Sequence, residues 1–189
     1  MKNYRSHTYK ETPAKRKLYK TLLWLFVTTF SFTSFRQKDQ AKEYNLKAAF
    51  IYNFTRYIEW KESSDQNEFI IGVIGTSPIN DPLAEIVKTE MVDNKKIIVK
   101  QFSKPADITF CHILFISDKS SVPLDDILAK TTGKGTLIIS EQDGYAGLGT
   151  AINFVIVNRK LKFEANVKAI NAAGLTASSQ LLKLAIIVK

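Results

Sequence analysis

Few side chains in this sequence could do chemistry, and their spacing keeps them apart. Cys111 and His112 are adjacent in the apolar run Phe110-Cys-His-Ile-Leu-Phe-Ile116. A thiol and an imidazole could act as nucleophile and base. Neighbours on a strand point to opposite faces, which excludes these two as such a pair. Cys111 is the single cysteine of the chain, and beyond residue 35 His112 is the single histidine. A metal site would therefore have to be built from oxygen ligands alone. Asp125-Asp126 offers carboxylates, but neighbours on a helix diverge, and the pair reads as a solvated face. Ser178 and Ser179 stand where a loop enters a helix, and capping explains them better than nucleophilic chemistry. The residues predict no catalytic set, no metal and no cofactor. Cys111 is expected to be a buried small hydrophobe, unpaired within the chain.

Two loops could hold an anion. Gly75-Thr-Ser-Pro-Ile-Asn-Asp81 follows a predicted strand and precedes a helix, the place where α/β folds bind phosphates. It lacks a third glycine and a lysine, so the dinucleotide and P-loop fingerprints both fail. The loop Glu141–Gly149, with Gly144, Tyr145, Gly147 and Gly149, runs from one predicted strand towards another. Asn53-Phe54-Thr55 matches a glycosylation sequon but falls inside a predicted helix.

That helix, Asn45–Trp60, is apolar on nearly all sides. Leu46, Ala49, Phe50, Phe54, Tyr57 and Ile58 share one face at helical spacing, and Asn53 falls on the same face. Lys47, Arg56 and Glu59 are its expected solvated positions. A buried Asn53 costs about 1–3 kcal/mol unless its amide is hydrogen-bonded. It is either a structural clamp or a contact to a pocket or partner, and Asn153, just before Phe154, poses the same alternative. Tyr52 and Trp60 are aromatic surface that a second chain could cover.

The elements that must position these residues alternate. Strands are predicted at Glu68–Ile74, Lys96–Phe102, Phe110–Ile116, Thr136–Ile139, Ala151–Val157 and Lys160–Ala165, with Asn158-Arg159 as a hairpin turn. Helices are predicted from Asp81-Pro82 through Met91, at Ser120–Thr132, and at Val167–Ala173 and Ser178–Val188. This alternation predicts a single compact layered α/β domain, Rossmann-like. Its sheet is mostly parallel, flanked by helices, with a late antiparallel hairpin.

Residues 1–35 are read as a leader. Seven bases and one acid precede or accompany an uncharged run, Thr21–Phe35, that suits a signal peptide better than a membrane span. A short N-terminal anchor is the alternative; either way the domain is expected to be exported. The chain carries 27 basic and 18 acidic residues, so 20 and 17 remain outside the leader, a net charge of +3. No clustered basic face survives, which argues against nucleic-acid binding. Residues 36–189 make one domain of ordinary size.

The segment NLKAAFIYNFTRYIEW, then CHILFI, then GYAGLGTAINFVIVNRKLKFEANVKAINAAGLTASSQLLKLA, resembles the YfiR family of exported proteins (DUF4154). The resemblance covers nearly all of residues 44–188. It implies a periplasmic regulator without catalysis of its own. Such a protein would hold an inner-membrane sensor protein, a diguanylate cyclase, inactive, and so lower cyclic-di-GMP and biofilm formation. It also implies a homodimer. Relatives often carry a second cysteine where this chain has Gly72, which makes Cys111 the orphan of a pair. The alternative function is a periplasmic small-molecule sensor with a pocket near the Gly75 and Gly144 loops. Partner or ligand contacts are expected among Tyr52, Asn53, Trp60, Gly144, Tyr145, Asn153 and Phe154.

Overall fold

The computed structural model describes residues 39–60 and 67–188. The expected leader, residues 1–35, lies outside them. Residues 42–189 form one compact unit and residues 1–41 another, of which only the first residues of helix α1 are described. Helix α1 spans 39–54, followed by β1 (Ile58–Trp60), β2 (Glu68–Ile74), α2 (Asn80–Thr89), β3 (Met91–Val92) and β4 (Lys95–Phe102). A single 3-10 turn at Pro105–Asp107 leads to β5 (Ile113–Ile116), α3 (Leu124–Thr131), β6 (Leu137–Ser140), β7 (Ile152–Val157) and β8 (Lys160–Asn166). The chain then runs through α4 (Val167–Ala172), β9 (Leu175–Ala177), α5 (Ser179–Leu184) and β10 (Ile186–Val188).

Eight strands form one sheet in the order β10-β8-β7-β6-β5-β2-β4-β3. The pairs from β7 through β6, β5 and β2 to β4 are parallel. The β7–β8 and β3–β4 pairs are antiparallel. The expected α/β layering is therefore present, with the predicted hairpin turning at Asn158 (φ 52°) and Arg159 (φ 60°). Positive φ at both central residues matches the right-handed twist of the flanking strands. The sheet is covered on both faces, as parallel sheets require. One core holds Ile71, Val73, Phe115 and Ile139 beneath Ile51 and Phe54 of α1, Leu83 of α2, Ile170 of α4 and Leu181 of α5. The other holds Ile70, Ile74, Leu114 and Ile116 beneath Leu124 and Ile127 of α3.

Four expectations are corrected here. First, the α1 stripe is rotated: Tyr44, Lys47, Ala48, Ile51, Phe54 and Ile58 are buried, whereas Leu46 is 46% exposed and Asn53 faces solvent. Lys47, expected in water, is buried because a carboxylate receives it. Second, the helix stops at residue 54. Residues 58–60 form β1, which pairs antiparallel with β9 in a two-stranded sheet. Third, the last predicted helix, Ser178–Val188, is only six residues long (Ser179–Leu184), and Ile186–Val188 is a strand parallel to β8. Two β-branched isoleucines and a valine carry that segment into the sheet against a weak helical period. Met91, expected on α2, likewise belongs to β3.

Candidate functional site

The chain order places a topological switch point between β2 and β5, because β2 leads outward to β4 and β5 leads the other way to β6. Open α/β sheets bind ligands at the carboxyl ends of the strands there. In this chain the crevice is filled by its own side chains. Glu141 follows β6 with its carboxylate only 2% exposed, and Lys47 Nζ reaches its Oε2 at 2.6 Å. Tyr44 Oη and the Asp118 N–H donate to Oε1 at 3.2 and 3.1 Å. Lys47 also pairs with Glu43 at 2.6 Å. Burial opposes the charge on Lys47, but its hydrogen bonds to Glu141 and Glu43 outweigh that and raise its pKa. Burial, followed by the Glu141 charge, pushes the Tyr44 hydroxyl up as well. Gly75 ends β2 beside this cluster with φ 85°, and a Cβ there would meet the Ser120 backbone at 2.9 Å. The loop is a close packing contact between strand ends.

The Glu141–Gly149 loop is pinned at both ends. The Ser140 hydroxyl donates to Asn153 Oδ1 at 2.6 Å and stands 3.0 Å from the Thr150 hydroxyl. Asn153 Nδ2 donates to Glu164 Oε2 at 3.1 Å, and Asn166 Nδ2 donates to the Ala146 carbonyl at 2.7 Å. Asn153 is fully buried and Phe154 is 3% exposed. These two expected contact residues therefore hold the loop and the core, and present no surface to a partner. Gly144 is exposed, and Tyr145 packs partly buried on the α3-side core.

A cleft of about 1410 Å³ opens at the opposite end, at the amino ends of the strands. Trp60, Phe69, Phe110 and His112 line it, with the bases Arg56, Lys95 and Lys134 and the acids Glu59 and Asp93. Beside the Gly75 and Gly144 loops, Tyr44 and Lys47 of α1 pack against Glu141 instead of leaving that space open. His112 Nδ1 accepts the Ile70 N–H at 3.0 Å, which leaves the ring proton on Nε2. Its ring stacks on Phe69 at 4.4 Å and meets the edge of Phe110 at 4.9 Å. Burial and then the Lys95 charge lower its pKa to about 4. The indole N–H of Trp60 donates to the His112 carbonyl at 3.3 Å. His112 is therefore a neutral ring locked into a wall of the cleft.

Tyr52 stands apart from both places. Its hydroxyl donates to Glu90 Oε2 at 2.6 Å and accepts from Arg56 at 3.3 Å. Asn53 lies on the solvated face of α1. Cys111 lies in the α3-side core, away from His112, and burial pushes its thiol up to about 12. A Cβ placed on Gly72 would lie 3.2 Å from Cys111 Sγ, so the two positions are neighbours on one face. Among the described residues, no three His, Cys, Asp or Glu side chains gather into a metal-binding group.

Sequence reasoning missed Tyr44, Lys47 and Glu141. The available signal was a lysine four residues after a glutamate at the head of an apolar helix, which alone reads as a solvated pair. No curated protein matches the chain significantly. The family model described as YfiR/HmsC-like (DUF4154) matches residues 44–186, a span that begins at Tyr44 and ends in β10. The chain belongs to the YfiR/HmsC-like family.

Proposed function

We propose that this chain is a non-catalytic periplasmic regulator that binds and restrains an inner-membrane signalling protein. By family resemblance that protein is a diguanylate cyclase, so that the chain lowers cyclic-di-GMP output and biofilm formation. Membership of the YfiR/HmsC-like family across residues 44–186 carries this reading. The filled crevice at the switch point is in keeping with it, since Tyr44 and Lys47 occupy the place where an α/β enzyme would hold its substrate.

Deleting the gene and restoring it on a plasmid tests the proposal. Cyclic-di-GMP is expected to rise on deletion and fall on restoration, and a membrane sensor protein is expected to co-purify with the restored chain. Unchanged cyclic-di-GMP together with no sensor protein in the pull-down would sink it.

The cleft at Trp60 and His112 supports a second reading, in which the domain senses a small molecule. A ligand there would raise the melting temperature by mass action. Because Trp60 forms part of the wall, binding would also change its fluorescence. A thermal-shift screen in which every hit leaves Trp60 emission unchanged would remove this reading.

A further inference from the structure

Among the described residues β10 is the last strand of the large sheet and has a neighbour, β8, on one side only. Natural edge strands are usually blunted by being very short, by a charge, by a proline or by a bulge, and of these β10, at three residues, has the first. Ile186-Ile187-Val188 has no charge and no proline. Ile186 is 39% exposed, Ile187 is 47% exposed, and Leu184 just before the strand is 70% exposed. Ile186 and Ile187 point to opposite faces of the sheet, and on the Ile187 face the β8 residues Phe163 and Ala165 are buried. Ile187 stands beside Ala165 of β8. Leu161, four residues before Ala165 on the same face, is opposite Ile156, which is 57% exposed.

The hairpin that carries Ile156 runs past the end of β6. β7 pairs with β6 only at Ile152 and Asn153, and continues with β8 as an arm out to Val157 and Lys160. Lys162 lies two residues before Glu164, the β8 partner of Ile186, and Lys183 three residues before Ile186 itself. Residues 155–188 contain Arg159, Lys160, Lys162, Lys168 and Lys183 and a single acid, Glu164. Glu164, the register partner of Ile186, accepts a hydrogen bond from Asn153.

Resting on the regulatory reading above, we propose that β10 is a docking strand whose free edge takes up one extended segment of the partner protein. That segment alternates apolar and acidic residues. The free N–H and C=O groups of the edge call for another strand, which supplies main-chain hydrogen bonds while its side chains supply specificity. A lipid surface leaves such groups unpaired. A second copy meeting this patch about a two-fold axis would set Lys183 and the arm's cations against their own equivalents.

The test uses the full chain and two short peptides, one alternating valine with glutamate and one alternating valine with lysine. The glutamate peptide is expected to bind at least about tenfold more tightly and to slow amide hydrogen exchange at residues 186–188. The triple variant Arg159→Glu, Lys160→Glu, Lys183→Glu, altered only at exposed positions, is expected to reverse the preference. Equal binding of both peptides, or binding without protection of β10, overturns the proposal. So does protection of β10 before any peptide is added, whether in a dimer (a second copy) or in a monomer (residues 1–38 of the same chain).

The two levels of the argument separate in the envelope pull-down. If wild type and an Ile186→Lys, Ile187→Lys variant capture the sensor protein equally, the docking strand fails and the regulatory reading stands. If neither captures it while the glutamate peptide still protects β10, the regulatory reading fails and the strand edge remains a binding site.

Discussion

Protonating His112 would withdraw the Nδ1 lone pair from the Ile70 N–H and place a charge between Phe69 and Phe110. The folded pKa of about 4 lies below the ordinary 6.5, so between these values the unfolded chain binds the proton and the folded one does not. Stability is therefore full above pH 6.5 and is lost as pH falls towards 4, by about 3 kcal/mol in all. Urea titrations across that range should show the slope, and His112→Phe should flatten it. An unchanged slope in that variant would place the proton uptake elsewhere. Lys47 and Glu141 make a different prediction. Lys47→Met alone strands a buried carboxylate and should cost about 3–5 kcal/mol, whereas the double variant with Glu141→Gln should recover most of that loss. Denaturation midpoints of the two single variants and the double variant measure this coupling directly.

Strand β2 and the residues leading into β5 face each other closely enough for a covalent link. The ideal Cβ at position 72 lies 3.2 Å from Cys111 Sγ, with Phe102 Cε2 at 2.7 Å as the atom that must yield. Gly72→Cys should therefore oxidise to a disulfide in an oxidising compartment once the Phe102 ring moves aside. Thiol titration should find no free sulfhydryl, and the oxidised form should be about 3–4 kcal/mol more stable than the reduced one. A variant that stays reduced would show that the ring does not move. Much at this scale was legible from residue pattern: the apolar strands, the Asn158-Arg159 turn, and the burial of Cys111. Helix α1 was not, because its phase is decided by Glu141, about ninety residues away. Periodicity cannot show that a lysine will be buried against a distant carboxylate, so the apolar spacing alone points one position away from the true stripe and puts Asn53 inside. The β9 and β10 strands were lost for a related reason. Each has only three residues, too short to show a period of two, and each is fixed by pairing with β1 or β8. The cleft was invisible because its walls come from separate stretches of the sequence.

At the scale of the whole molecule, the two cores are not independent. They lie on opposite faces of β2, β5 and β6, so losing one removes the support of the strands that carry the other. A sheet of this kind should melt as one unit. Trp60 reports on the α1 side, where its ring meets Phe69 at 5.3 Å, and far-UV circular dichroism reports on all the helices and strands together. Trp24 is the other tryptophan of the chain, so a Trp24→Phe variant leaves Trp60 as the sole tryptophan, which excitation at the red edge of the spectrum reads apart from the tyrosines. In that variant the fluorescence and dichroism transitions should coincide in temperature and in denaturant. A fluorescence transition that precedes the dichroism change would mean that the cleft wall, with β1 and β9, opens before the sheet does. The amino-end cleft would then be a separately mobile part of the molecule, and ligand stabilisation measured there could not be taken as stabilisation of the β10 edge.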